Sequence, residues 1–354
     1  MGAERSRGSV THRLGPSSWA RHAGPAAMVL AAALWGLGGT TAGQLFARGA
    51  DPLEVVEVRT WVALAGFAAL YAVRRRRRRA ERPKGSAHAA PAAKRVDRRA
   101  VLGFGIAVAV SNAALFLAID KLPVAVALVL QNLAPAFVVG WVLLVTRTLP
   151  SPRVVLGLVV ALLSVALVVE LPTTPLGDID AVGILLGLLA GAGVAAFSVL
   201  GARAAGSVGT LVANTGGFTV AAVAWLLFQL PHGLPALFEH PALLAGAVAV
   251  GVFGTFVPFL LYAWAAARVG PQAGAVNISL EPLFGAVLAW LWLGQAVTPV
   301  QIVGGLVLLV AVVFLQSSRN AAPPPVRPPT DQDPAGPQDR PAPESRSGLL
   351  RSGA

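Results

Sequence analysis

Long apolar runs dominate the chain: at least nine stretches of about 18 residues or more carry few or no charges. Runs of that length are not the short amphipathic helices or alternating strands of a water-soluble core. Only 12% of the 354 residues are charged while 55% are hydrophobic, too few charges to cover the surface of a soluble domain. In hydrocarbon a helix satisfies its backbone hydrogen bonds within itself, so an all-α polytopic membrane protein is expected. Spans are predicted near 26–46, 55–73, 100–119, 123–146, 153–170, 181–202, 208–230, 242–267, 271–293 and 299–317. The first run, from Ala26 to about Phe46, is too long for the apolar region of a signal peptide and is read as a span.

Charge fixes the count and the orientation. Four arginines precede the first span, twelve Lys or Arg fall in 74–99, and five arginines follow the last span. Arg147, Arg153, Arg203 and Arg268 join them if the number of spans is ten and the N-terminus is cytoplasmic. The opposite side then holds only Arg48 and Lys121, together with Asp51, Glu54, Asp120, Glu170, Asp178, Asp180 and Glu239. One span more or fewer destroys this asymmetry, so ten transmembrane helices, N-in and C-in, are expected. Residues 1–24 and 319–354 read as disordered cytoplasmic tails, the second rich in proline (Pro323, Pro324, Pro325, Pro328, Pro329). The run Arg74–Arg79 reads as a topology anchor and as a surface for anionic lipid headgroups. A net charge of +12 does not indicate nucleic-acid binding, because it lies in particular loops and not on an interleaved basic and aromatic face.

Shifting the chain by 147 positions lays its second half on its first. Ala118 falls on Ala265, Lys121 on Arg268, Leu133 on Leu280, Pro135 on Pro282, Phe137 on Phe284, Pro152 on Pro299 and Gly157 on Gly304. The coincidence of helix-breaking residues carries this reading, since overall identity is low. Five spans per copy is an odd number, so the copies enter the membrane in opposite directions: two inverted five-helix repeats, at 25–170 (with the basic loop 74–99) and 171–318. Inverted repeats give two related conformations around a midplane site.

Leu34-Trp35-Gly36, Arg59, Pro135-Ala136-Phe137 and Leu280-Glu281-Pro282-Leu283-Phe284, followed by Gly294-Gln295, Thr298 and Gln301, resemble the ten-span EamA-type exporters of the drug/metabolite transporter superfamily. The resemblance spans about 26–317 and implies secondary export of a small molecule across the plasma membrane. Members of that family often carry Gly-Glu after spans four and nine; here the positions read Arg147-Thr148 and Gly294-Gln295.

A charged residue at the centre of a span costs roughly 2.5–3.5 kcal/mol on insertion scales, so such residues face cavities or partners. Glu281 is the eleventh residue of its predicted span, near the midplane, with Asn277 one turn earlier on the same face and Pro282 freeing a carbonyl beside it. Two readings stand: Glu281 lines the cavity as substrate ligand or proton carrier (the coupling residue), or it pairs with a donor and fixes packing. Gln131 and Asn132 lie at the matching depth of the other repeat and either orient a polar solute or bond between helices. Arg59 either anchors a substrate carboxylate or pairs with an acid such as Asp51 or Asp120; Glu57 lies on another face of the same helix. Asn112, Tyr262 and the aromatic walls Trp35 and Trp264 complete the candidate set, and Gly183, Gly187 and Gly191 form a close-packing face.

The expected activity is export of a small polar or amphipathic metabolite, an amino acid or drug-like solute, with uptake on the same scaffold as the alternative and a membrane enzyme or scaffold as the more distant rival. The chain has no phosphate-binding loop to couple ATP and no H-E-x-x-H motif, and no cofactor or metal is expected. Single cysteines placed in 74–99 and in 319–354 of this naturally cysteine-free chain should react with an impermeant maleimide only from the cytoplasmic face. Labelling of the two from opposite faces would exclude ten spans.

Overall fold

The computed structural model describes residues 18–81, 96–147, 151–168, 170, 180–265 and 280–320. The expected tails beyond 18 and 320, the 82–95 part of the basic loop and the 266–279 part of the ninth span, Asn277 included, lie outside them. Among the described residues all regular structure is helical. In chain order the helices are α1 (Ser18–Ala47), α2 (Pro52–Ala80), α3 (Arg98–Lys121), α4 (Val124–Gln131), α5 (Ala134–Thr146) and α6 (Pro152–Val168). Next come α7 (Ala181–Val208), α8 (Thr210–Gln229), α9 (Pro241–Ala265), α10 (Glu281–Leu293) and α11 (Pro299–Asn320).

Seven helices, counting α4 and α5 as one, are long and apolar enough to cross a membrane, and shorter apolar helices form the described parts of three more segments. Leu144 is 75% exposed, Leu162 66% and Val310 69%, an outer surface suited to lipid and not to water. The helix ends are capped locally. Asp51 accepts from the backbone N–H groups of Leu53 (2.8 Å) and Glu54 (3.1 Å), with Pro52 as the first residue of α2. Asp97 and Asp180 do the same for Ala100 and Gly183. Thr298 and Gln301 exchange side-chain-to-backbone bonds of 3.2 Å in a capping box that starts α11.

Four features correct the sequence reading. α1 begins at Ser18, inside the expected tail 1–24. α2 runs on through Arg74–Arg79 to Ala80, so the arginines extend a helix instead of opening the loop. The fourth span is two helices, α4 and α5, interrupted at Asn132–Leu133, because Pro135 lacks the N–H that would bond the Gln131 carbonyl. Glu281 is the first residue of α10 and not a mid-helix residue.

No hydrophobic force draws helices together inside lipid, so contact depends on how closely backbones approach. α1 packs on α9 and α10, α7 on α3 and on α4–α5; α2 packs on α8 and α9, α3 on α8, α4 on α10, and α6 on α11. At the α1 seam a Cβ on Gly36 would stand 2.7 Å from the Gly285 nitrogen and 3.0 Å from the Glu281 carbonyl oxygen, and one on Gly38 would stand 2.8 Å from the Gly254 Cα. The Gly183, Gly187 and Gly191 stripe packs inside the bundle, on Leu122 and Leu130 and on the carbonyls of Leu130 and Gln131.

At the end of the bundle that holds Asp51, three side chains tie distant segments. The Glu54 carboxylate accepts from Ala236 N–H (2.8 Å) and Leu237 N–H (2.9 Å). Gln295 Oε1 accepts from the Val124 N–H at the start of α4 (3.0 Å), and Thr298 Oγ1 donates to Glu170. Gln295 supplies a neutral acceptor there, and Gly294 (φ 65°) and Arg147 (φ 52°) end α10 and α5 in the same left-handed turn.

Gly38→Ala should destabilise the protein by about 1–3 kcal/mol, the usual range for overpacking. Gly305→Ala, where a Cβ meets nothing within 4 Å, should leave stability unchanged or raise it. Melting temperatures in detergent check the pair; equal values for the two variants would refute the tight seam.

Candidate functional site

The helix break before Ala134-Pro135 and the start of α10 at Glu281-Pro282 each place a proline at the second position of a helix, where its missing N–H costs nothing. A carboxylate on the first turn of a helix sits at the positive end of the helix dipole, and Glu281 holds that position. Its backbone lies against Gly36, the residue after Trp35. Two residues further along α1, Gly38 meets Gly254. Gly254 and Thr255 belong to a π turn at Val252–Phe256, where Val257 N–H reaches back to Val252 O. Pro258 explains the turn: it cannot donate to the Gly254 carbonyl, and α9 relaxes into the wider winding.

Thr255 Oγ1 accepts a 2.9 Å hydrogen bond from Arg59 Nε, and the guanidinium carbon lies 4.5 Å from the centroid of the Phe116 ring. Arg59 is only 6% exposed. Neither acid expected as its partner, Asp51 or Asp120, is bonded to it. No ion pair joins Arg59 to Glu281 either; its side chain is held by Thr255 and Phe116. Glu57, two residues before Arg59 and 1% exposed, has no hydrogen-bond partner on either carboxylate oxygen, and neither has Trp225 Nε1.

An aromatic group surrounds this level of the bundle. Trp35 packs edge-on against Phe259 at 5.6 Å and lies 5.9 Å from Tyr262. Phe259 continues to Phe218 at 5.5 Å, and Phe218 to Phe67 at 5.1 Å. Thr255, Phe259 and Tyr262 recur at helical spacing, so one stripe of α9 supplies both the ligand of Arg59 and the aromatic wall. Tyr262 and Glu281 are each half-buried.

Of the residues singled out from sequence, Trp35, Tyr262 and Glu281 are brought together around α1. Asn112 donates its amide N–H to Val108 O (2.9 Å) and Asn132 to Leu128 O (2.9 Å), each within its own helix segment. Asn132 also faces a different space, an apolar groove of about 440 Å³ lined with Pro282, Trp290, Gln301 and Leu306. Gln131 is half-buried at the end of α4. Asn277 falls outside the described residues. Trp264 is 41% exposed. Thr255, Phe116 and Phe259 were missed; the only sequence signal for them is the buried arginine, which demands partners without naming them.

The EamA-like transporter family model matches the chain twice, over residues 22–170 and 181–317. An uncharacterized inner membrane transporter of Salmonella typhimurium, YicL, is 28% identical over 64% of this chain and 76% of its own. The threonine/homoserine exporter RhtA of the same organism is 27% identical over 58% of this chain and 67% of its own. A solved crystal structure with 16% sequence identity superposes with a TM-score of 0.55 over 85% of this chain and 98% of the other, a likeness of fold. With both halves matched and a bundle of apolar helices to carry them, the chain belongs to the EamA-like transporter family and is a multi-pass membrane protein.

Proposed function

We propose that the protein is a secondary transporter of the cell membrane that exports a small polar or amphipathic metabolite, amino acids among them, by alternating access. The observation that carries this reading is the pair of ionisable side chains set around α1: Arg59, 6% exposed and bonded to Thr255, and Glu281, on the first turn of α10 against Gly36. A membrane protein that needs only stability has little use for ionisable groups inside its bundle, since each costs free energy to insert.

The architecture we propose has ten spans as two inverted repeats, 25–170 and 171–318. The doubled family match supports it. So does the packing: taking α1, α2, α3, α4–α5 and α6 onto α7, α8, α9, α10 and α11 sends α3–α7 to α9–α1, α1–α10 to α7–α4, and α3–α8 to α9–α2. The contacts α2–α8, α4–α10 and α6–α11 map onto themselves, as contacts on a two-fold axis must.

With the arginine-rich end of α2 in the cytoplasm, the ties made by Glu54, Gln295 and Glu170 lie at the outer face, and each joins one half to the other. In the cycle we propose, these bonds hold the outer face closed and break when it opens. Trp35, Tyr262, Gln131 and Glu281 line the solute path, and Glu281 is also the coupling residue, since one carboxylate holds either a proton or a cationic solute group. Arg74–Arg79 lie where anionic headgroups gather, at about 1 kcal/mol of attraction per basic residue.

Purified protein in liposomes preloaded with unlabelled solute should accumulate the labelled solute from outside, across a panel that includes threonine and homoserine. Glu281→Gln should fold normally but lose the dependence of flux on pH. Absence of flux for the whole panel, or an unchanged pH profile in the variant, would defeat the transport and coupling readings respectively.

A further inference from the structure

The groove beside Asn132 runs between three helices at the end of the bundle that holds Asp51. One face each of α4 (from Ala125), α10 (Pro282 to Trp290) and α11 (Gln301 to Leu309) lines it. Ala296 and Val297 form its rim, between Gln295 and Thr298, two of the residues that tie this end of the molecule together. Its floor lies at the helix breaks, marked by Asn132 and Pro282. Eight residues of α10 separate floor from rim, about 12 Å at the helical rise of about 1.5 Å per residue. One leaflet holds about 15 Å of hydrocarbon, half of a core about 30 Å thick. The groove is therefore nearly as long as a leaflet is deep, and it follows the helices across that leaflet.

The sequence leaves this space open at one position. Gly305 lies inside α11, where glycine weakens a helix, and a Cβ there would meet nothing within 4 Å. In the repeat proposed above Gly305 falls on Leu158 and Ala286 on Val139. Leu158 packs its side chain on buried Val139 and Val154, so the first copy fills a seam that the smaller Ala286 and Gly305 of the second leave empty. Apart from the Trp290 indole, only Asn132 and Gln301 bring polar side chains to the lining, and each is already bonded at its own helix end. A water molecule needs two to four polar partners and is not at home there. Trp290 (59% exposed) and Leu306 (56%) belong to the surface that faces lipid, so the groove is continuous with it. A hydrocarbon chain lying in the groove meets protein on several sides instead of one, and those added dispersion contacts favour it over chains against a convex helix. We propose that the groove is a binding site for one acyl chain of a membrane phospholipid, in the outer leaflet for the orientation given above. A chain seated there touches α4 of the first half and α10 and α11 of the second.

Photocross-linking in phosphatidylcholine liposomes tests the site, with a phosphatidylcholine carrying a diazirine midway along one acyl chain as the probe and mass spectrometry to map adducts. Leucines are compared with leucines. Leu283 and Leu306 in the groove should carry several times more adduct than Leu162 and Leu163 on α6, although the α6 pair is the more exposed. Gly305→Leu, which fills the groove as Leu158 fills its own seam, should abolish the excess, and Gly305→Ala should keep most of it. If Gly305→Leu does not fold, the wild-type ratio decides. Adducts in proportion to exposure mean ordinary solvation by lipid, and fewer adducts in the groove than on α6 mean that a second copy of the chain covers it. Either result overturns the proposal, as does an excess that survives Gly305→Leu. The readout uses no transport, so it stands apart from the transporter reading.

Discussion

The arrangement depends on how closely α1 can approach its neighbours. Lipid tails are as apolar as leucine, so burying apolar side chains gains little here, and the helices are held by close contact and polar bonds instead. Gly36 and Gly38 remove the side chains that would keep α1 away from α10 and α9. Everything at the site follows from that seam. It sets the first turn of α10 beside Trp35, it brings the π turn of α9 to the same level, and through Thr255 it fixes where the Arg59 guanidinium can lie.

The charges are tolerated because they are organised by different means. A hydroxyl and an aromatic face support Arg59, and the end of a helix supports Glu281. None of these supports is an ion pair. Glu57 stands apart: a sealed carboxyl among apolar neighbours with no bonding partner, and the structure gives no physical account of why the chain keeps it.

Much of this was legible in the residues. Apolar run length located the helices but not all of their ends, since α1 begins well before 26 and α2 and α7 run well past 73 and 202; Asp51, Asp97, Asp180 and Thr298 cap helices where they start. The two prolines that aligned in the repeat, Pro135 and Pro282, turned out to mark where α5 and α10 begin. What the run length hid was the discontinuity itself, because a window of hydropathy does not register a missing N–H. That is why Glu281 was expected in mid-helix. Asn112 was named as a cavity candidate and Asn132 as a solute contact or an interhelical bond; in the structure each amide donates to the carbonyl one turn back, an option that sequence spacing does not reveal. Arg59 was recognised as costly, but its partners lie on α9 and α3, far along the chain, and only folding brings them within reach.

The continuation of α2 through Arg74–Arg79 has a mechanical effect on the other end of the same helix. Helical steps of about 100° distribute six guanidinium groups round the whole axis, so no side of the rod is free to sink into hydrocarbon. Drawing α2 inward by a single turn would immerse several of them at roughly 2.5–3.5 kcal/mol apiece. The rod is thereby pinned at a fixed depth, and Arg59, fifteen residues up the same rigid shaft from Arg74, is pinned with it. In the transport cycle proposed above, Arg59 stays at that depth and the helices that face it move.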